Sequence, residues 1–208
     1  MTVLQALAAF TLAAGLLTLT PGLDTALVLR TAALEGPRRA ALAVVGILSG
    51  CFVWGGLVAF GLGAVLAASS LAFDLLKWAG AAYLVWLGIG LILKPRDRFE
   101  VETGPAMSGS DTTWMRRGFL TNLLNPKMGV FYISFLPQFL PDGVAAGPFM
   151  LGLTAIHVLL GAVWLGLLIA ATQPLSRLLK RPAVVRWLDR LTGGVFLGFG
   201  IRLAFERA

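Results

Sequence analysis

The sequence predicts an all-α membrane protein: six transmembrane helices arranged as two inverted three-helix repeats, with helices one and four broken. Three observations predict it: six long apolar runs, positive charge confined to alternate loops, and a faint likeness between the two halves of the chain. The chain has 208 residues, 58% hydrophobic and only 13% charged, with a mean hydropathy of +0.85. An ordinary soluble domain carries about 25% charged residues. The apolar runs cover 4–29, 42–66, 71–93, 118–136, 149–171 and 184–203. Each approaches or exceeds the roughly 20 residues that cross a bilayer. Little remains from which to build a soluble domain, so residues 1–208 read as a single transmembrane domain.

Run one reads as a span rather than a cleaved leader, because no Lys or Arg precedes it and no small-x-small site follows. It contains Thr20-Pro21-Gly22-Leu23-Asp24. A proline inside a helix lacks the N–H donor and frees the carbonyl four residues back, here that of Leu17. Run two carries Gly46 and Gly50 at a spacing that lets helices approach closely, followed by Cys51. A lone cysteine excludes an internal disulfide framework or a cysteine-based metal cage, and Cys51 reads as a small packing residue. Asp74 and Lys77 stand one helical turn apart near the start of run three, beside Trp78, and read as an interfacial pair.

Residues 94–114 form the one candidate linker, a charged and Gly/Ser-containing stretch between repeat one (1–93) and repeat two (115–208). Run four holds Asn122-Leu123-Leu124-Asn125-Pro126-Lys127, where Pro126 frees the carbonyl of Asn122. Run five holds His157, the only histidine, and run six holds Gly194 and Gly198 at the same close-approach spacing as Gly46 and Gly50.

The formal net charge is +7, and its placement reports topology. Arg30, Arg38 and Arg39 follow run one; Lys94, Arg96, Arg98, Arg116 and Arg117 separate runs three and four; Arg177, Lys180, Arg181 and Arg186 lie between runs five and six. The alternate loops are almost free of Lys and Arg. By the positive-inside rule both termini lie outside the cytoplasm. The basic residues suit anionic lipid headgroups, and no loop is long enough to hold a nucleic-acid reader.

The halves repeat loosely. Leu87-Gly88-Ile89-Gly90 recurs as Leu197-Gly198-Phe199-Gly200, Gly50 and Trp54 as Gly161 and Trp164, and Pro21 answers Pro126, at offsets of about 105–111 residues. A repeat of three spans enters the membrane from the opposite side the second time, which gives an inverted repeat of the kind common in secondary transporters. Pro21 lies nine residues before Arg30 and Pro126 nine after Arg117. At ~1.5 Å per residue both breaks fall ~14 Å from the cytoplasmic edge, near the bilayer middle.

The breaks carry the polar residues of these runs. Thr20-Pro21 and Asn125-Pro126 each match a helix start, a cap residue followed by proline. The N-terminus of a half-helix attracts anions, and Lys127 adds a full positive charge suited to a carboxylate. Asp24 is the opposite pole, fit to accept an ammonium or to carry a coupling proton. Against this stands a structural reading, in which Asp24 and Lys127 pair with each other or Asp24 caps its helix. Asn122 and Asn125 either bond a substrate or satisfy broken backbone. His157 is either a proton relay together with Asp24 or a hydrogen-bonded packing residue. Thr20, Pro21, Gly22 and Pro126 form the breaks themselves. The sequence has no His-Glu-x-x-His, Gly-x-Ser-x-Gly or Walker loop, so it reads as a transporter rather than an enzyme. It calls for no cofactor and no metal. Any pumping is then driven by an ion gradient or a partner.

On Thr20-Pro21-Gly22-Leu23-Asp24 and Asn122-x-x-Asn125-Pro126-Lys127, joined by the stretch from Leu76-Lys77-Trp78 to Trp86-Leu87-Gly88, the chain resembles the lysine-exporter (LysE-type) family of bacterial amino-acid exporters. The family's branches include lysine/arginine, homoserine/threonine and leucine exporters. The resemblance covers essentially the whole chain. It implies a multi-pass protein of the bacterial inner membrane that extrudes amino acids or close derivatives, by proton antiport and often as a homo-oligomer. One residue departs from the pattern: the family commonly has a second proline after the Pro-Gly pair, where this chain has Leu23. The partners expected are an amino-acid substrate, protons and the lipid bilayer. The competing readings are a passive solute channel or release valve and, further off, a lipid-handling membrane protein.

Overall fold

The computed structural model describes residues 1–68, 78, 81–82, 85–86, 88–95, 110–171 and 181–205. Asp74, Lys77 and most of the third apolar run lie outside the described residues. Among the described residues the chain is helical throughout, with no strand. Helix α1 is Val3–Leu19, α2 Leu23–Leu34, α3 Pro37–Ala68, α4 Asp111–Leu123, α5 Pro126–Val130, α6 Ala146–Ala170 and α7 Pro182–Phe205. Among these, α3 over Pro37–Gly61 and α6 are long and apolar enough to cross a membrane alone. The pair α1 and α2 supplies a third candidate, bent by 51° at its break.

Local chemistry sets these boundaries. A reciprocal capping box opens α1, with the Gln5 N–H donating to Thr2 Oγ1 and the Thr2 N–H to Gln5 Oε1. It stops at Leu19 because Pro21 cannot continue the hydrogen-bond ladder. Past α2 the chain turns through Gly36 at φ 90°, a left-handed conformation open to glycine, and Pro37 takes the first position of α3. Pro137 interrupts the ladder again: Phe131–Phe135 relaxes into a π turn and Leu136–Phe139 into 3-10 geometry, while the Gln138 side-chain amide donates to the Ser134 carbonyl at 2.8 Å.

Helix α3 is the spine, packing along α4 and α6. Apolar burial drives little association inside lipid, so backbone approach has to carry it. A Cβ on Gly46 would overlap the Met115 carbonyl, and one on Gly118 would overlap the Ala43 carbonyl. Gly46 and Gly50 therefore act as the sequence suggests. Gly194 and Gly198 do not: among the described residues a Cβ on either would meet nothing within 4 Å, and in α7 Gly193 and Gly200 make the close contacts instead. Their partners are Gly88 and Ala81, so the recurring glycine segments of the two halves cross each other antiparallel.

The end of the bundle predicted as cytoplasmic is tied across halves. Arg38 donates to Asp111 at 2.6 Å, and Trp114 is fully buried beneath the guanidinium groups of Arg39 and Arg117. At the other end the N-terminal ammonium lies 3.9 Å from Asp142, bringing the start of α1 to the loop before α6. The interior has two apolar cores. One is aromatic, with Phe10, Phe131, Phe135 and Phe139; the other is aliphatic, with Val28, Val44, Leu168 and Val185. The two helix breaks lie between them.

Candidate functional site

Pro21 leaves the Leu17 carbonyl without its helical donor, and the structure shows what replaces it. The Lys127 ammonium donates to the Leu17 carbonyl at 3.0 Å and to the Thr20 carbonyl at 2.9 Å. These groups close α1, whose C-terminus carries the negative end of its dipole, so the cation is held where it is most stabilising. The lysine stem crosses close to Gly22: a Cβ there would stand 3.7 Å from Nζ.

Thr20 corrects the sequence expectation. It does not open α2; it is the C-cap of α1, its hydroxyl donating back to the Leu16 carbonyl and sharing a hydrogen bond with Thr192 of α7. Gly22 is the N-cap of α2 and offers no side-chain cap, which leaves Asp24 in the first turn. Asp24 is half-buried, and its Oδ2 accepts from the Asn122 amide at 2.8 Å. Its Oδ1 is sealed from solvent and has no hydrogen-bond partner among the described residues. A buried carboxylate oxygen left without a donor is costly, which makes it a place to expect a ligand or a proton.

The second break behaves as the sequence predicts. Asn125 is the N-cap of α5, its Oδ1 accepting from the Lys127 N–H at 3.1 Å, with Pro126 next. The Asn122 carbonyl, freed by Pro126, accepts the Asn125 N–H at 3.0 Å. Asn122 itself is fully buried against α3, its side chain seated over Gly50, where a Cβ would stand 2.6 Å from Asn122 Oδ1. Its amide also lies 3.5 Å from Cys51 Sγ.

A cavity of about 50 Å³ opens between the breaks, lined by Gly22, Asp24, Asn125, Lys127, His157 and Trp164 among others. That volume suits a few water molecules, so a solute of amino-acid size needs the walls to part. His157 forms part of the wall and is buried, with Nδ1 2.9 Å from the Tyr132 hydroxyl and its ring against Phe131. Asp24, Asn125, Lys127 and His157 thus share one cavity, with Asn122 immediately behind Asp24.

Sequence reasoning missed several neighbours. Tyr132 could not be assigned to His157 without the π turn that orients it. Cys51 is a cavity wall as well as a packing residue. Asp189 of α7 is fully buried, as is Thr192 one turn on. An ionisable residue inside an apolar run is itself a signal, and Asp189 carried that signal.

The sequence model of the family described as "LysE type translocator" matches residues 16–207. The chain belongs to the LysE-type translocator family. Members are membrane translocators, not enzymes. An "Uncharacterized membrane protein" of Vibrio cholerae is 35% identical to this LysE-type chain over 201 residues, covering 96% of it and 97% of the relative. The "Homoserine/homoserine lactone efflux protein" of Salmonella typhi is 34% identical over 201 residues, covering 96% of each chain. The "Threonine efflux protein" of Escherichia coli K12 is 29% identical over 195 residues, covering 91% of this chain and 92% of the relative. No solved structure matches this LysE-type chain significantly.

Proposed function

We propose that this translocator exports amino acids or close derivatives from the cytoplasm in exchange for protons, with the cavity between the two helix breaks as its binding site. The observation that carries the proposal is the meeting of Asp24 and Lys127, from opposite halves, at one contracted cavity. Relatives of similar length named for homoserine and threonine efflux support the substrate class. Asp24 alternates between the substrate ammonium and a proton, Lys127 meets the substrate carboxylate once it leaves the α1 carbonyls, and Asn122 and Asn125 hold the walls. His157, paired with Tyr132, is the second proton carrier. The halves rock as an inverted repeat of six spans, both termini outside the cytoplasm, in the bacterial inner membrane and as a homo-oligomer. The antiparallel crossing of the two glycine segments supports this symmetry.

The test is efflux of L-threonine and L-homoserine from proteoliposomes with an imposed pH gradient. Proton exchange predicts movement against the solute gradient that collapses when an ionophore dissipates the pH difference. Efflux at the same rate with and without the ionophore, and never uphill, would replace the antiporter by a passive channel.

A further inference from the structure

The Lys127 ammonium stands where a ligand's ammonium would fit. We propose that the Leu17 and Thr20 carbonyls, with Asp24, form a subsite for the primary ammonium group of the solute, and that Lys127 fills it as a tethered surrogate until the solute displaces it. This rests on the exporter reading and narrows its substrate class to primary amines whose carboxylate is dispensable.

The composition of the site carries the inference. Leu17 and Thr20 present two carbonyl oxygens at the negative end of α1. They already hold an ammonium at 3.0 and 2.9 Å, so the geometry of the pair is set for one. Asp24 Oδ1, a few residues further along the same break, is buried and accepts no hydrogen bond among the described residues. All three oxygens are acceptors, and as a set they suit a cation with several N–H donors. An anion finds less. The amide at the start of α5, the Lys127 N–H, is taken by Asn125 Oδ1, and the first turn of α2 already carries Asp24. In broken-helix transporters generally, half-helix C-termini and unwound carbonyls coordinate cations.

Displacement also gives Lys127 a purpose in both states. In the contracted cavity it satisfies the carbonyls that Pro21 orphans. When the solute ammonium takes that place, Lys127 is released toward the solute, where a carboxylate can receive it. A solute without a carboxylate still fills the subsite and forgoes only the second contact. A solute with its amine acylated keeps the carboxylate and loses the subsite.

The experiment measures binding to the purified full chain by calorimetry, with L-threonine, L-threonine amide, N-acetyl-L-threonine and n-butylammonium as probes. The amide should bind within about tenfold of threonine, and the acetylated form about 100-fold or more weakly, because a site built to hydrogen-bond a donor rejects the analogue lacking it. In Lys127→Met, with the internal competitor gone, the amide and n-butylammonium should bind about fivefold tighter or better, while threonine loses that advantage. N-acetylthreonine binding as well as threonine overturns the subsite. So does the failure of threonine, its amide and n-butylammonium alike to bind, or an equal loss of amide and threonine binding in Lys127→Met. If that variant does not fold, the wild-type comparison of amide with acetylated probe decides alone. Ammonium-selective binding without threonine or homoserine efflux leaves the subsite standing and sinks the exporter reading. Efflux that N-acetylthreonine inhibits as well as threonine does the reverse.

Discussion

At the first helix break Pro21 orphans the Leu17 carbonyl, and the donor that answers comes from Lys127, 110 residues away in the other half. At the second, Pro126 orphans the Asn122 carbonyl, and Asn125 answers from three residues on while also capping α5. Both breaks combine a polar residue with proline. One is completed only by a distant helix and the other completes itself. The difference separates a turn closed by its own residues from one closed by a distant side chain: the second break keeps its partners whatever Lys127 does, whereas the first would lose both if Lys127 were removed.

Substitutions test that asymmetry, and the largest effect is expected at Lys127. Lys127→Met removes two charge-assisted hydrogen bonds and leaves the carbonyls of a buried helix end unanswered. Hydrogen bonds to charged groups contribute about 1.5–3 kcal/mol each, so for the two together a loss of about 3–6 kcal/mol in unfolding free energy is expected in denaturant titration. A change under about 0.5 kcal/mol would mean that the first break is as self-sufficient as the second.

Asn122→Ala comes next. It deletes the donor to Asp24 Oδ2 and leaves a second carboxylate oxygen unpaired, for about 1–3 kcal/mol. Gly50→Ala should mimic part of this loss, because its Cβ would displace the Asn122 side chain. Asn125→Ala removes a local N-cap and should cost about 1 kcal/mol, with efflux slowed far less than in Lys127→Met. The smallest effect belongs to Thr20→Ser, under about 1 kcal/mol, because the hydroxyl that bonds the Leu16 carbonyl and Thr192 is kept. Asn125→Ala proving worse than Lys127→Met would invert the comparison.

What could be read ahead of the structure follows from the range of each interaction. Asn125-Pro126 was legible as a helix start because its partners lie within three residues. Thr20-Pro21 has the same local form and takes the opposite role, ending a helix. Nothing local distinguishes the two, since Lys127 and Thr192 decide it from elsewhere in the fold. The value of Gly46 and Gly50 was legible from their spacing. Gly194 and Gly198 show the limit of spacing alone: the contact fell to Gly193 and Gly200, one residue before and two beyond. That Lys127 faces carbonyls rather than an anion was not legible, because its target is backbone, which carries no sequence signature. The Tyr132–His157 pair depended on the π turn before Pro137.

The central claim is that Asp24 and Lys127 act at the solute itself, between the two breaks. Its most direct test is efflux of labelled L-threonine and L-homoserine from proteoliposomes holding folded Asp24→Asn and Lys127→Met protein at matched density. The account predicts that each variant loses about 100-fold or more in rate, the equivalent of one charged hydrogen bond of about 3 kcal/mol. Efflux within about twofold of wild type in both variants, with coupling intact, would contradict it.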